Sequence, residues 1–401
     1  MRCFLKMPAV RPVVLCGCLF GLSLLLGGSQ PALAGSKDFA IKAGQTCLSC
    51  HAKLARKKVI HPATEDGDGC TNCHQQQDET RHKFAPLPDP IVSLCLDCHD
   101  DPVAKAHKHP PAAEGDCTYC HDPHQSDQAK LLTAPIGDLC LQCHDAGNYS
   151  GEVEKGQTVH GPARNGKCVV CHNPHSAKRD KLLRQPVPKL CWKCHDKPQK
   201  DPKGVKLRPL KRLFEDESAH LHPPFAEGDC LDCHQPHASD NIRLLVAKYP
   251  AGFYQSYSED AYGLCLNCHD ADKFNKARTL TATNFRNGNL NLHYRHVNKK
   301  KGRNCLACHD PHGSRQAHMI VPAFRFGIRE LTINYEATAT GGSCAPPCHV
   351  KAYYDRLQPA DNRFRTTPRV GKAATAKELL AQPGAHKKEI KVKDKAKVKD
   401  K

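Results

Sequence analysis

Twenty-two of the 25 cysteines fall into eleven pairs, and a histidine directly follows the second cysteine of every pair. Ten pairs are spaced Cys-x-x-Cys, and the last, Cys344 and Cys348, has three residues between its members. The other cysteines, Cys3, Cys16 and Cys18, lie in an apolar N-terminal stretch. In a helical turn, positions i, i+3 and i+4 share one face, so each pentad brings two thiols and an imidazole together. This is the attachment sequence of c-type haem. Each thiol adds to a vinyl group to form a thioether, and the histidine is held where it can ligate the iron. A disulfide framework would need no such histidine. A zinc ribbon would use Cys-x-x-Cys pairs in twos, without a histidine after each.

The pairs recur in register. A lone pentad of Cys47, Cys50 and His51 precedes five two-pentad units. Unit one holds Cys70, Cys73 and His74, then Cys95, Cys98 and His99. Unit two holds Cys117, Cys120 and His121, then Cys140, Cys143 and His144. Unit three holds Cys168, Cys171 and His172, then Cys191, Cys194 and His195. Unit four holds Cys230, Cys233 and His234, then Cys265, Cys268 and His269. Unit five holds Cys305, Cys308 and His309, then Cys344, Cys348 and His349. These are the expected sites of about eleven covalently attached haem c groups. Within units the first cysteines are 25, 23, 23, 35 and 39 residues apart, so the last two units are enlarged. Their inserts include residues 249–262 and 315–343. The second contains FRFGIRELTINY, whose alternation predicts a short hairpin.

Histidines outside the pentads also repeat. Five lead the first pentad of a unit by eight or nine residues: His61, His109, His160, His222 and His296. Four follow a first pentad as Pro-His: His124, His175, His237 and His312. His82 is the candidate for the one missing from unit one. These ten are the expected sixth ligands. One more is needed, and His107, His220, His293 and His318 are available for it. Beyond residue 34 the only methionine is Met319, so His/Met ligation is open to one haem at most. The expectation is mostly six-coordinate, bis-histidine iron of low reduction potential. Which distal histidine serves which haem is not fixed by spacing.

Aromatic residues make up 6% of the chain, there is one tryptophan, and mean hydropathy is −0.59, too little apolar side chain for large protein-only cores. Thirty prolines and 27 glycines favour loops and turns. Chains so poor in core depend on staples. The expected fold is mainly irregular with short α-helices and very little sheet: haem-stapled repeat units wrapped around the cofactors.

Residues 1–34 read as a secretory signal peptide. Arg2, Lys6 and Arg11 precede an apolar run, and Ala32-Leu33-Ala34 is a small-x-small cleavage site. The run is short for a membrane span, so no transmembrane segment is expected after its removal. A lipoprotein reading through Cys18 is weaker, because little apolar sequence precedes it. The expected location is the periplasm, with outer-membrane association or secretion open. The remainder divides into an N-terminal multihaem region (35–196), a basic connector and candidate hinge (197–212), a C-terminal multihaem region (213–364) and a Lys-rich tail (365–401). The tail reads as solvated. The net charge of +18 does not call for nucleic acid. Without the leader, and with propionates and ferric centres counted, the oxidised holoprotein would carry about +4 and the reduced form about −7.

The arrangement H-P-x-A-E-G-D-C-x-x-C-H-x-P-H…L-C-L-x-C-H-D, best copied at residues 109–145 and 222–270, resembles the doubled-CXXCH family of multihaem c-type cytochromes. GGSCAPPCH, ending at His349, is similar to terminal haem sites in multihaem cytochromes of metal-reducing bacteria. The resemblance implies an electron carrier without catalytic residues, serving an anaerobic respiratory or extracellular electron-transfer chain. Its redox partners would be other cytochromes, a quinol-oxidising complex, a porin-cytochrome conduit or a terminal reductase. Two other readings stay open. One is a multihaem reductase of nitrite, hydroxylamine or a sulfur oxyanion, which needs an open iron position; no Cys-x-x-Cys-Lys occurs here. The other is an extracellular haem filament.

Overall fold

The computed structural model describes residues 38–144, 157–201, 204, 206–363 and 369–370. The leader (1–34) and nearly all of the tail from 365 lie outside the described residues. Regular structure is short throughout, as the proline and glycine content implies. Among the described residues the longest helix is the nine-residue Val187–His195, and strands run two to four residues. No described helix is long and apolar enough to cross a membrane. This is the low-sheet, short-helix architecture expected of a multihaem cytochrome.

The chain divides into two compact units, Met1–Lys53 with Pro62–Leu87, and Leu54–His61 with Pro88–Lys401. In the first, the helix Cys47–His51 opens on a capping box between Thr46 and Ser49. Gly69 lies flat against the backbone of Ala63, where a Cβ would come within 2.6 Å of the Ala63 carbonyl oxygen. This packs the helix Pro62–Glu65 onto the turn Asp68–Asn72, which carries Cys70.

The second compact unit repeats one device. In the first four units a two-residue strand just before the leading histidine pairs antiparallel with a two-residue strand just after the Pro-His of the following repeat. Val59–Ile60 pairs with Gln125–Ser126, His107–Lys108 with Ser176–Ala177, Thr158–Val159 with Ala238–Ser239, and His220–Leu221 with Gly313–Ser314. The backbone N–H of each leading histidine continues the ladder. His61 donates to His124, His109 to His175 and His160 to His237, each at 2.8 Å, and His222 donates to His312 at 3.3 Å. Neighbouring repeats are therefore interleaved rather than stacked as closed modules.

After the leading histidine, proline at the helix N-terminus starts a single turn, as in Pro110–Glu114 and Pro223–Glu227. Glycine in the left-handed region ends it: Gly115 (φ 86°) and Gly228 (φ 82°). Gly228 also sits against Pro188, whose Cγ a Cβ would approach to 2.4 Å.

A second recurrent corner follows each Pro-His by six residues. Lys130-Leu131, Lys181-Leu182, Arg243-Leu244 and His318-Met319 all have positive φ, between 53° and 61°. Left-handed backbone costs a residue with a Cβ about 1–2 kcal/mol. Eight non-glycine residues bear that cost here, in four matched pairs.

The enlarged fourth unit and the stretch after it carry a protein-only cluster among the described residues. Leu245, Tyr249, Tyr262 and Val297 form a buried cluster, with Tyr257, Leu264, Leu266 and Phe274 packed against it. The hairpin expected in 324–335 is present: Ala323–Phe326 pairs with Arg329–Thr332 through a turn at Gly327. In the connector, Gln199–Lys200 pairs with Lys206–Leu207, Leu210 N–H donates to the His195 carbonyl at 3.1 Å, and Arg208 forms an ion pair with Asp310.

Candidate haem-binding sites

Each pentad but the last is a single helical turn. The histidine N–H donates to the carbonyl of the first cysteine at 2.9–3.0 Å in the pentads ending at His74, His99, His121, His144, His172, His234, His269 and His309. The second cysteine folds back in the same way: Cys73 N–H donates to the Cys70 carbonyl at 3.3 Å, and Cys98 N–H to that of Cys95 at 3.4 Å. Cys50 lies within the helix Cys47–His51, and Cys191, Cys194 and His195 lie in the helix Val187–His195. In the last pentad Cys344 ends the strand Gly341–Cys344, and His349 N–H bonds instead to Pro346. With its first cysteine on a strand, this site spans a loop, which accounts for its extra residue.

None of these 22 cysteines is bridged to another. Their exposure follows the repeat. The second cysteine is half-buried in every first pentad, at Cys73, Cys120, Cys171, Cys233 and Cys308. It is exposed in the lone pentad and in every second pentad, at Cys50, Cys98, Cys143, Cys194, Cys268 and Cys348. The two pentads of a unit are thus distinct environments, a difference that their shared spacing does not announce.

The pentad histidines face other imidazoles at nearly constant separation. Leading histidines meet the second-pentad histidine of their own unit: His61 with His99 and His109 with His144 at 6.1 Å, His160 with His195 at 6.2 Å, and His222 with His269 at 6.0 Å between ring centres. Pro-His histidines meet the first-pentad histidine of the preceding unit. His175 faces His121 at 6.0 Å, His237 faces His172 at 5.9 Å, and His312 faces His234 at 6.3 Å. His82 faces His51 of the lone pentad at 5.9 Å. Unit five has no following unit in this chain, and His293 faces His309 instead, at 6.4 Å. His296 neighbours His349, and Phe285 stacks on it at 5.8 Å. His74 packs edge-on against Phe84. His124 holds in unit two the place that His175, His237 and His312 hold in theirs. The spares His107 and His318 have other contacts: His107 lies 3.2 Å from Asp180, and the His318 carbonyl accepts from His309.

These separations suit an iron between two imidazoles. With metal–nitrogen bonds of about 2.0 Å and about 1.1 Å from nitrogen to ring centre, axial rings stand about 6 Å apart. The tautomers suit it as well. A carbonyl can only accept, so an Nδ1 bonded to one must carry the proton and leave Nε2 free for a metal. This holds for His121 (to Lys130, 2.8 Å), His172 (Lys181, 2.7 Å), His234 (Arg243, 3.1 Å) and His309 (His318, 3.0 Å). It also holds for His160 (to Pro236, 2.8 Å), His296 (Leu292, 2.7 Å) and His349 (Val350, 2.6 Å). Burial disfavours the imidazolium at His109, His160, His195, His222, His234 and His309, and pushes His296 down to about 4 and His293 to about 3. Neutral imidazoles are what ligation requires.

The cysteines approach one another in sequence order. Cys140 meets Cys168, Cys191 meets Cys230, and Cys265 meets Cys305 in side-chain contact, as do Cys47 and Cys70 in the first compact unit. Between those contacts Cys120 neighbours Cys143, Cys171 neighbours Cys194, Cys233 neighbours Cys265 and Cys268, and Cys308 neighbours Cys348. Burial raises the thiols of Cys308 to about 11 and Cys344 to about 12, so these sites disfavour thiolate and suit a neutral sulfur such as a thioether. The hydroxyls of Tyr257 and Tyr262 are buried without a partner in a space lined also by Cys265 and Cys305. Such groups call for a partner that the protein itself does not supply.

Opposed imidazole pairs, each beside two cysteines in a helical turn, define a c-type cytochrome with several haems. Residues 109–148, 160–200, 222–274 and 296–325 match the family described as the doubled CXXCH motif. The matched stretches resemble those of multihaem c-type cytochromes. Among curated proteins the chain resembles the multiheme cytochrome MtrA of Shewanella baltica (strain OS185), with 26% identity over 115 residues, which is 28% of this chain and 28% of that protein.

His293 is the ligand candidate that spacing alone did not single out. The available signal was positional: the last unit has no successor to lend it a Pro-His histidine.

Proposed function

We propose that the chain is an exported electron conduit holding eleven haem c groups, each between two histidines. The observation that carries this reading is the set of nine opposed imidazole pairs at 5.9–6.4 Å: four within a unit, three between neighbouring units, and the pairs of His82 with His51 and His293 with His309. The residues that would hold the cofactors are the 22 pentad cysteines and their histidines. His61, His82, His109, His124, His160, His175, His222, His237, His293, His296 and His312 would be the second axial ligands.

Haem supplies the one-electron carrier, and the chain's residues fix where each carrier sits and how it is tuned. Cysteine contacts from Cys120 to Cys348 run in chain order, which supports transfer from each site to its sequence neighbours. Two histidines per iron leave no position for a substrate, which favours a carrier over a reductase. The basic, small-x-small leader supports export to the periplasm, where the partners would be other redox proteins, a porin-cytochrome conduit among them.

Intact mass of the purified holoprotein tests the count, with an increment of eleven haems over the mature chain expected. Low-temperature EPR tests the ligation, with nearly all iron low-spin. A majority of high-spin iron, or rapid turnover of nitrite, hydroxylamine or a sulfur oxyanion by the reduced protein, would overturn the reading.

A further inference from the structure

The four left-handed corners have no packing explanation of their own. The first residue of each, Lys130, Lys181, Arg243 or His318, is exposed, and the second, Leu131, Leu182, Leu244 or Met319, is half-buried. None of the eight is glycine, although glycine would take this backbone freely. What the corners share is where their carbonyls point. The first carbonyl of each accepts Nδ1–H of a first-pentad histidine, at 2.8, 2.7, 3.1 and 3.0 Å for His121, His172, His234 and His309. The second accepts the backbone N–H of the residue after that histidine: Asp122, Asn173, Gln235 and Asp310, at 2.7–3.0 Å. Two residues further on, the N–H of Thr133, Arg184, Val246 or Val321 returns to the carbonyl of the second pentad cysteine at 2.9–3.0 Å. Each corner thus turns consecutive carbonyls onto one Cys-His step.

We propose that these four pairs are positioning residues for the iron: each left-handed corner holds the proximal imidazole in one tautomer and one orientation, and lowers the reduction potential of the first-pentad haem it faces. The inference rests on the haem reading above. The physical cause is ligand basicity. A carbonyl accepting from Nδ1–H pushes electron density onto Nε2, which stabilises the ferric state and makes the haem harder to reduce. Strained backbone that recurs at equivalent places is itself a mark of function. Among the described residues, the second-pentad histidines His99 and His269 have no corner of this kind after them.

Unit three provides the test in the full-length holoprotein. Leu182→Ile keeps an aliphatic side chain of the same volume but is β-branched, which the left-handed region tolerates worst. Leu182→Gly keeps the corner. In a redox titration followed by visible spectroscopy, Leu182→Ile is expected to move one haem to higher potential and to change one set of low-spin EPR features. Leu182→Gly should leave both in place. A Leu182→Ile protein with full haem complement and an unchanged titration, or a glycine variant that shifts equally, overturns the proposal. Should Leu182→Ile not accumulate, Lys181→Val at the exposed first position gives the same readout. Absence of a haemochrome spectrum in the unmodified protein would instead sink the haem reading itself.

Discussion

His293 faces His309 across 6.4 Å, in the place that a Pro-His histidine of the following unit takes for His121, His172 and His234. Its Nδ1 lies 2.9 Å from the Thr283 hydroxyl, which also accepts the Phe285 N–H, so the ring is held from its non-ligating side. His293→Ala is expected to convert roughly one haem in eleven to high-spin iron without loss of haem from the chain. His107→Ala, His220→Ala and His318→Ala should leave the spin state unchanged. Low-temperature EPR on the four variants decides between them.

Because His175 belongs to unit three but faces His121 of unit two, its loss should be felt in the neighbouring unit. His175→Ala is expected to produce one high-spin haem. Removing the unit-two haem through Cys117→Ser and Cys120→Ser should then abolish the high-spin signal. If the signal survives, the ligand serves its own unit and the interleaving rule fails.

Asn291 caps the short helix Leu292–Val297 that carries both His293 and His296. It is fully buried, accepts the Tyr294 N–H at 3.1 Å, and donates to the carbonyls of Lys273 and Lys276 at 3.0 and 2.8 Å. Asn291→Ala removes the cap and strands two carbonyls, a cost of about 2–4 kcal/mol. A lower melting temperature is expected, with the change in low-spin features confined to the two sites of unit five.

Acid should weaken the same region. The folded pKa values of His293 and His296, about 3 and about 4, lie below the ordinary 6.5. A depressed histidine pKa means the unfolded chain binds protons first. The neutral, buried state is therefore fully favoured above pH 6.5, and stability falls as pH drops from there toward 4. Melting curves between pH 8 and pH 4 should show this decline. A flat profile would mean that these imidazoles are not held neutral by burial.

Much of this was legible in the sequence, because covalent chemistry leaves rigid spacing. The pentads, the leading histidines and the Pro-His histidines were all visible as repeats, and the low apolar content called for a fold of short elements. What spacing could not show is that histidines of one repeat face those of the next. His175 sits four residues after Cys171, and nothing local says that it turns toward His121 instead of its own pentad. That outcome depends on two-residue strands such as His107–Lys108 with Ser176–Ala177, too short to register as alternation. The left-handed corners were hidden for a related reason. Lys181-Leu182 carries none of the Gly, Asn or Asp that ordinarily announce positive φ. His293 stood as one of four candidates that spacing did not rank, because it breaks the repeat; its place opposite His309 sets it apart.

The antiparallel pairing of each repeat with the next makes the chain a line of borrowers. A repeat taken out on its own would carry a Pro-His histidine with no predecessor to face, and its first-pentad histidine would lack the one that faces it. Whole links could be added to or removed from the middle of such an array, because each new neighbour brings the missing histidine. Wherever the series stops, some residue outside the pattern must close the coordination sphere, or the terminal metal stands open to whatever small molecule reaches it.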